Sequence, residues 1–133
     1  MSRHPAWKKV EERVAAFIDT RRTPLSGGNS GHTRSDTLHP DIYAEIKHGA
    51  GCPRSWSGVL DLFESTEELA AAEHKVALLV LHRNRGAKVE EYDAYLRVWV
   101  DTGAGTKRSL VVCIPLGEAK KLLMAQLSAT STA

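Results

Sequence analysis

The chain has 133 residues, of which 42% are hydrophobic and 26% charged, proportions that are typical of a single globular domain. They exclude a wholly disordered chain and a collagen-like repeat, and the two cysteines are too few for a disulfide scaffold, so we expect two reduced thiols. The longest apolar run, Val76 to Leu81, is too short to cross a bilayer. No apolar stretch follows residues 1–5, so we expect no secretory signal, no membrane association and a cytoplasmic location.

The small net charge of +2 hides a segregation of charge along the chain. Residues 1–34 carry a net charge of +4, residues 35–74 carry −6 and residues 75–133 carry +4. An acidic middle between two basic flanks is the pattern of a carboxylate cluster for metal inside a phosphate-binding surface. Solvated helix faces that separate by sign produce the same pattern, and charge alone favours this second interpretation.

The first predicted elements are a helix over 6–21, which we expect Pro24 to end, and a glycine-rich loop over 26–31. The loop follows a helix and lacks the P-loop motif, so a nucleotide site is excluded by context. Its backbone N–H groups could lie against a phosphate backbone, or the loop is a flexible connector, and both interpretations stay open. The apolar stripe that predicts the helix consists of Trp7, Val10, Val14, Phe17 and Ile18.

A β-hairpin is predicted over 32–47, with a short strand at Thr37–Leu38, a turn at 39–41 and a second strand over 42–47. On the second strand Ile42, Ala44 and Ile46 share one face, and Tyr43, Glu45 and Lys47 share the other.

Downstream elements complete one α/β domain, residues 1–133, with a central mixed five-stranded sheet flanked by helices. Ser65 and Glu68 form a capping box that predicts two separate helices around them. Leu122, Leu123 and Leu127 are expected to face the core from the last helix. The predicted elements are helices over 56–64 and 67–74, strands over 76–82, 94–101 and 110–114, a turn over 102–106, a helix over 118–127 and a polar tail over 128–133, which we expect to fray.

The residues most suited to chemistry are Asp36, Glu45 and Lys47. The hairpin places Asp36 opposite Ala44 or Glu45, with Lys47 two residues further on the Glu45 face. Carboxylates that hold a divalent metal, beside a group that orients water, are what phosphodiester hydrolysis needs. The alternative is an ordinary ion-pairing face on an edge strand. Two other Glu-x-Lys pairs, Glu73/Lys75 and Glu118/Lys120, lack the strand context.

An ordered series of motifs runs through this region: Glu12-Arg13, then Arg22 four residues before Ser26-Gly27, then Asp36, then Glu45-x-Lys47. In this order the chain resembles the PD-(D/E)xK, or restriction-endonuclease-like, nucleases over residues 7 to about 100. Within them it is most similar to the small archaeal-type and phage Holliday junction resolvases.

The resemblance implies a restriction-endonuclease-like fold, a Mg²⁺-dependent endonuclease acting on four-way or other branched DNA, and a homodimer. Mn²⁺ is expected to substitute for Mg²⁺. Asp36, Glu45 and the Ile46 carbonyl would hold the metal, Glu12 would join them, and Lys47 would orient the attacking water. The expected DNA-binding residues are Arg13, Arg22, Ser26, Gly27 and Arg34.

Two choices stay open at this level. The Pro-Asp dipeptide of the family matches Pro40-Asp41, so Asp41 competes with Asp36 as the metal ligand; we favour Asp36, because cross-strand placement brings the carboxylates closer. The substrate could instead be a flap, a nick or a single strand, or the chain could be a non-catalytic DNA-binding module.

Overall fold

A computed structural model describes residues 6–24, 33–83 and 86–131. Within these ranges the chain forms three α-helices and one mixed sheet of four strands, and the predicted loop over 26–31 lies outside them. The elements are α1 Ala6–Phe17, β1 Ile42–His48, α2 Trp56–Ala72, β2 Val76–His82, β3 Asp93–Asp101, β4 Lys107–Pro115 and α3 Leu116–Ser131.

The sheet has the order β1-β2-β3-β4. β1 runs parallel to β2 through the crossover helix α2, with Ile42 opposite Val76 and His48 opposite His82. β2 pairs antiparallel with β3, and β3 pairs antiparallel with β4 across a tight turn. β1 and β4 are therefore the outer strands, and β2 is buried along almost its whole length, as its continuous apolar sequence predicts.

The expected fifth strand at Thr37–Leu38 is not confirmed in the described ranges. Thr37 makes only an isolated antiparallel bridge with Arg22. The segment does run antiparallel to β1, because the Asp36 N–H donates to the Ala44 carbonyl at 2.8 Å and, three residues later, the His39 ring accepts the Ile42 N–H at 3.1 Å. Buried Ser35 bonds to Ala44 through its hydroxyl, so a side chain takes over part of the ladder that a strand would make.

Three layers follow from the alternation of side chains along the strands. One face of the sheet packs on α1 and α3, through a core that contains Val14, Ile46, Leu96 and Leu123. The other face packs on α2 through a second core around Phe63, with Tyr43 from β1. The two predicted faces of β1 are thus confirmed, with Ile42 and Ile46 towards α1 and Tyr43 towards α2.

The first helix ends at Phe17, earlier than the predicted residue 21, and proline is not the cause. Asp19 adopts a left-handed conformation with φ of 65°. The Thr20 N–H then donates to the Ala15 carbonyl at 2.9 Å, and the Asp19 N–H donates to Ala16 at 3.1 Å. This is the Schellman arrangement that satisfies the last carbonyls of a helix.

The two helices predicted between 56 and 74 are one continuous helix, α2, so that prediction was wrong. Ser55 caps it, because its side chain accepts the Gly58 N–H at 3.0 Å. Ser65 does not open a new helix; its hydroxyl donates to the Asp61 carbonyl one turn earlier at 3.0 Å. A serine bonded in this way is compatible with an uninterrupted helix.

The last helix extends from Leu116 to Ser131, so its final turn includes part of the predicted tail. Leu123 is fully buried as expected, whereas Leu122 is 42% exposed and does not face the core. Both cysteines are free thiols, Cys52 buried and Cys113 exposed. No helix among the described residues is long and apolar enough to cross a membrane.

Candidate active site at the outer edge of β1

Residues 33–38 lie along the outer edge of β1 and are held there by buried serine and threonine side chains. The Ser35 hydroxyl accepts the Ala44 N–H at 2.9 Å and donates to the Ala44 carbonyl at 3.2 Å. On the other side of the segment, the Thr23 hydroxyl donates to the Ser35 carbonyl at 2.7 Å. Each group that β1 exposes at Ala44 therefore has a partner, and the segment is fixed in register with the strand.

This register places the Asp36 carboxylate against the β1 backbone. Its Oδ2 accepts the Ile46 N–H at 2.7 Å. The backbone of Asp36 thus bonds to Ala44, whereas its carboxylate reaches Ile46, two residues further along β1, near enough to Glu45 to be affected by its charge. The sequence prediction that Asp36 lies opposite Ala44 or Glu45 is confirmed by the bond between the Asp36 N–H and the Ala44 carbonyl.

The electrostatic environment of Asp36 is unfavourable for its charge. Burial raises the pKa of Asp36 to about 7, and the negative charges of Glu45 and then Glu11 act in the same direction. The Ile46 N–H and the ammonium group of Lys47 oppose this shift without cancelling it. A carboxylate in this state binds a proton or a cation readily, because either one removes the repulsion.

Glu45 and Lys47 share one face of β1 and form an ion pair, with Lys47 Nζ 3.2 Å from Glu45 Oε1. The side chain of Glu45 is 21% exposed and that of Lys47 is 39% exposed, so both reach solvent at the rim of the site. The predicted trio of Asp36, Glu45 and Lys47 is therefore brought together. The Ile46 backbone takes part through its N–H, whereas the resemblance assigns its carbonyl to the metal.

Glu11 is a member of this acidic group that the motif comparison misses. Its side chain is 13% exposed, and burial raises its pKa, as does the charge of Glu45, while Arg22 opposes the shift. Glu12, the residue that the resemblance assigns, is 43% exposed and lies 4.0 Å from Arg22. Helical spacing could have found Glu11, since Ala15 and Ile18, four and seven residues later, are both fully buried.

Arg22 bridges the two glutamates at the start of the site. Its Nη1 donates to Glu11 at 3.4 Å and its guanidinium stacks over the Trp7 ring at 5.9 Å. The arginine thus orients Glu11 and supplies the positive charge nearest to it. Arg34, by contrast, is exposed, and its backbone N–H rather than its guanidinium is bonded, to Glu73 at 3.0 Å.

The second Glu-x-Lys pair, Glu73 and Lys75, has a structural role. Glu73 accepts hydrogen bonds from the Thr33 hydroxyl and the Arg34 N–H, and Lys75 lies 3.0 Å from it. These bonds tie the end of α2 to residues 33–38, which carry Asp36. The rival ligand Asp41 is exposed at the turn, where its carbonyl accepts the Val76 N–H at 2.9 Å.

The side chains present at this site limit how a metal ion could be bound. In the three described ranges, no group of three or more His, Cys, Asp or Glu side chains could hold a metal ion. Mg²⁺ does not need such a cage, because it keeps several waters and commonly uses one or two carboxylates with substrate phosphates. Asp36 and Glu45, with the raised pKa of Asp36, fit that requirement.

Two basic clefts flank the ends of β1 and β2, one residue beyond Lys47. In one of them the His48 and His82 rings stack with their Nδ1 atoms 2.9 Å apart. None of the described residues that line either cleft is acidic. A cleft of about 230 Å³ is lined by Lys9, Arg13, His48 and His82 among others, and one of about 530 Å³ by Arg54, Arg83 and Cys52 among others.

Arg13, one of the predicted DNA-binding residues, thus lies in a basic cleft, whereas Ser26 and Gly27 fall outside the described residues. Comparisons of the chain with protein-family models, curated proteins and solved structures found no match.

Proposed function

We propose that the protein is a Mg²⁺-dependent endonuclease that hydrolyses phosphodiester bonds in DNA, with its site at Asp36, Glu45 and Lys47. The observation that carries the proposal is the Asp36 carboxylate, fixed by the Ile46 N–H in an environment that raises its pKa to about 7. A purely structural aspartate gains from being charged, whereas this one is held where its charge is costly. Such placement is typical of functional carboxylates.

Asp36 and Glu45 would hold the metal, and Mn²⁺ would serve as well, because it prefers the same oxygen ligands. A bound Mg²⁺ would supply the chemistry of lowering the pKa of a coordinated water and neutralising charge on the scissile phosphate. The Ile46 N–H occupies Asp36 Oδ2 and so fixes the direction of the carboxylate.

Lys47 is suited to act beside the reacting phosphate. The ammonium group of Lys47 has three N–H donors, and one side of it faces Glu45 at 3.2 Å. Because the Lys47 side chain is partly exposed, a substrate oxygen or a water has room to bind the other donors. In this position Lys47 can orient the attacking water and stabilise negative charge on phosphate oxygens. Arg22 is a positioning residue, since it orients Glu11, the third carboxylate of the site.

The basic clefts would bind the DNA backbone on the side where β1 leaves the site. Lys9 and Arg13 are one helical turn apart on α1 and line the same cleft as His48, the residue after Lys47. Contacts of this kind fix a nucleic acid in register without reading its bases. A branched substrate such as a four-way junction is the choice that the motif order favours, with flaps, nicks and single strands as alternatives.

A non-catalytic DNA-binding module is the second candidate. It is favoured by two observations: the described residues contain no group of three potential side-chain ligands, and Glu45 is already paired with Lys47. In that case the acidic group would only fix residues 33–38 on the sheet, and the basic clefts alone would bind DNA.

A cleavage assay distinguishes the two candidates. Labelled four-way junction, flap, nicked duplex, linear duplex and single-stranded DNA are each incubated with the protein in Mg²⁺, in Mn²⁺ and in EDTA. We expect metal-dependent cuts, most rapid in branched DNA, and loss of cleavage in Glu45→Gln and Lys47→Ala. Binding of every substrate without cleavage in either metal would favour the binding module. Equal cleavage by wild type and both variants would move the site elsewhere.

A further inference from the structure

All three tryptophans are exposed, and Trp56 is the one that lies beside a basic cleft. Trp56 is 52% exposed and is the first residue of α2. Its ring packs against the ring of buried Tyr95, with the ring centroids 6.0 Å apart and the planes inclined by 43°. The indole is therefore supported on one side by a buried ring and presents the rest of its surface to solvent.

The same tyrosine connects Trp56 to Arg83. The Arg83 Nη1 donates to the Tyr95 hydroxyl at 3.1 Å and to Asp93 at 2.8 Å, and its Nη2 donates to the Pro53 carbonyl at 3.4 Å. These bonds use three of the five N–H donors of the guanidinium and hold it in one orientation. An arginine that is already oriented loses little freedom when it binds an anion, and its planar fork matches two phosphate oxygens.

The cleft next to these residues has a volume of about 530 Å³, which is within the usual range for ligand pockets. Arg54 and Arg83 line it, together with the small residues Gly49 and Ala50. Arg54 is exposed and precedes Trp56 by two residues. Two cationic side chains and a supported, exposed aromatic ring are thus brought together at one place on the surface.

We propose that this cleft and Trp56 bind an unpaired nucleic-acid strand, with one base stacked on the indole and the adjacent phosphates held by Arg54 and Arg83. Sites for single strands combine a basic groove with exposed aromatic rings in this way. The bases of a duplex are stacked on one another, so only an unpaired base can reach the tryptophan. An acidic peptide could pair with the arginines, but its carboxylates offer no planar surface to stack on the indole.

The position of the cleft relative to Lys47 deepens the proposed nuclease function and rests on it. Gly49 lines the cleft and follows Lys47 by two residues, a span of at most about 7 Å. Lys47 shares its face of β1 with Tyr43, and Cys52, which lines the cleft, packs in the same core as Tyr43. A strand in the cleft would therefore pass Lys47, which would place the candidate active site where an unpaired strand leaves a duplex.

Fluorescence anisotropy of the full chain with a short labelled oligothymidylate, and with a duplex of the same length, tests the binding site. The measurement is made in EDTA, so that it does not depend on cleavage and can succeed where the nuclease proposal fails. We expect Trp56→Ala to raise the dissociation constant for oligothymidylate about five- to hundredfold, the effect of losing one stacked base. The dissociation constant for the duplex should change less than about twofold, because phosphate contacts dominate its affinity.

Trp99→Ala is the matched control. Trp99 is 64% exposed and lies four residues along β3 from Tyr95, about 13 Å away. This variant should bind oligothymidylate like the wild type. Trp56→Phe keeps an aromatic ring against Tyr95 and should recover most of the affinity that Trp56→Ala loses. Equal losses for single strand and duplex in Trp56→Ala, or no loss for either, would overturn the stacking role of Trp56.

Arg54→Gln tests the phosphate contact with a variant that alters an exposed side chain only. The slope of the logarithm of affinity against the logarithm of salt concentration should become less steep by about 0.7, the contribution of one phosphate of a single strand. An unchanged slope would remove Arg54 from the site. Displacement of oligothymidylate by polyglutamate at an equal concentration of charge would show a general anion-binding surface and would contradict the assignment to nucleic acid.

Discussion

The outer edges of β1 and β4 differ in what lies against them. β1 is covered by residues 33–38, and a carboxylate is held there beside two others, so that burial and repulsion raise the pKa of Asp36 to about 7. β4 is uncovered among the described residues and exposes Leu110 and Val100. The β1 edge thus holds a carboxylate whose charge is unfavourable, and the β4 edge exposes apolar side chains to water.

The unfavourable charge and the apolar exposure are relieved in different ways. A carboxylate that is expensive to ionise is relieved by a cation, which indicates chemistry at the β1 edge. Exposed apolar side chains on an edge strand are relieved only when another apolar surface removes them from water. Stability is given up at both places, in the way that functional surfaces commonly require.

The largest expected effect on stability contrasts one serine at each edge. Ser35→Ala should lower the free energy of unfolding by about 1–3 kcal/mol, because the buried Ala44 N–H loses its hydroxyl partner, while the Ala44 carbonyl keeps the Asp36 N–H. Ser109→Ala, on half-buried β4, loses only the bond from Arg97 at 2.9 Å and should cost less than about 1 kcal/mol. Urea unfolding of both variants measures the difference. Equal losses would mean that the β1 edge is not specially held.

The next effect is a change in the pH dependence of stability. The pKa of Asp36 is raised from 3.8 to about 7 on folding, so the folded state binds the proton more tightly than the unfolded state. The wild type should therefore lose stability as pH rises from about 4 to about 7, at up to about 1.4 kcal/mol per pH unit. Asp36→Asn should lose this slope and be more stable than wild type at pH 8.

Unfolding of wild type and Asp36→Asn at pH 4, 6 and 8 tests this expectation, with Asp41→Asn as the matched control. Asp41 is exposed, so Asp41→Asn should keep the wild-type slope. A wild type that is more stable than Asp36→Asn at pH 8 without metal would contradict the raised pKa.

Cation binding should then reverse the cost of the charge. At ten times its dissociation constant, Mg²⁺ should stabilise the wild type by about 1.4 kcal/mol at pH 8. The stabilisation should be smaller at pH 5, where Asp36 is protonated and a proton competes with the metal. Thermal unfolding with and without Mg²⁺ measures the shift. Glu45→Gln should reduce it, while a shift that is the same in Glu45→Gln and at both pH values would place the cation elsewhere.

The smallest expected effect separates the two neighbouring glutamates of α1. Glu11→Gln should lower the cleavage rate about three- to tenfold, or by about 1 kcal/mol, since it removes part of the negative charge that would attract a cation to the site. Glu12→Gln should change the rate less than about twofold, because its side chain is exposed. A larger loss in Glu12→Gln than in Glu11→Gln would support the original motif assignment.

The β1 edge was largely predictable, because strand alternation and hairpin geometry act over a few residues. The two faces of β1 and the position of Asp36 opposite Ala44 both follow from that spacing. The sequence did not predict Glu11 as a member of the acidic group. The family motif selects Glu12 by its place in the motif order, whereas burial favours Glu11, which lies on the same helix face as the buried Ala15 and Ile18.

Long-range packing accounts for the remaining differences. Ser65 and Glu68 match a capping box, but that pattern does not show whether a preceding helix ends before it. In α2 the helix continues, and the Ser65 hydroxyl bonds to the preceding turn. Leu122 is apolar like its neighbour Leu123, yet it is exposed because it lies about a quarter turn away from the face of α3 that is buried. A sequence pattern shows which side chains are apolar, but it does not show which of them another surface covers.

The assignment of the metal site to Asp36 is tested by the rate of Mg²⁺-dependent cleavage of a four-way junction, measured for Asp36→Asn and for Asp41→Asn. Both variants remove one carboxylate close to β1, and only Asp36 lies in the acidic group. We expect Asp36→Asn to lose at least about 100-fold in rate, because metal contacts are worth several kcal/mol in the transition state. Asp41→Asn should cut like the wild type. Full activity in Asp36→Asn together with inactivity in Asp41→Asn would contradict the account.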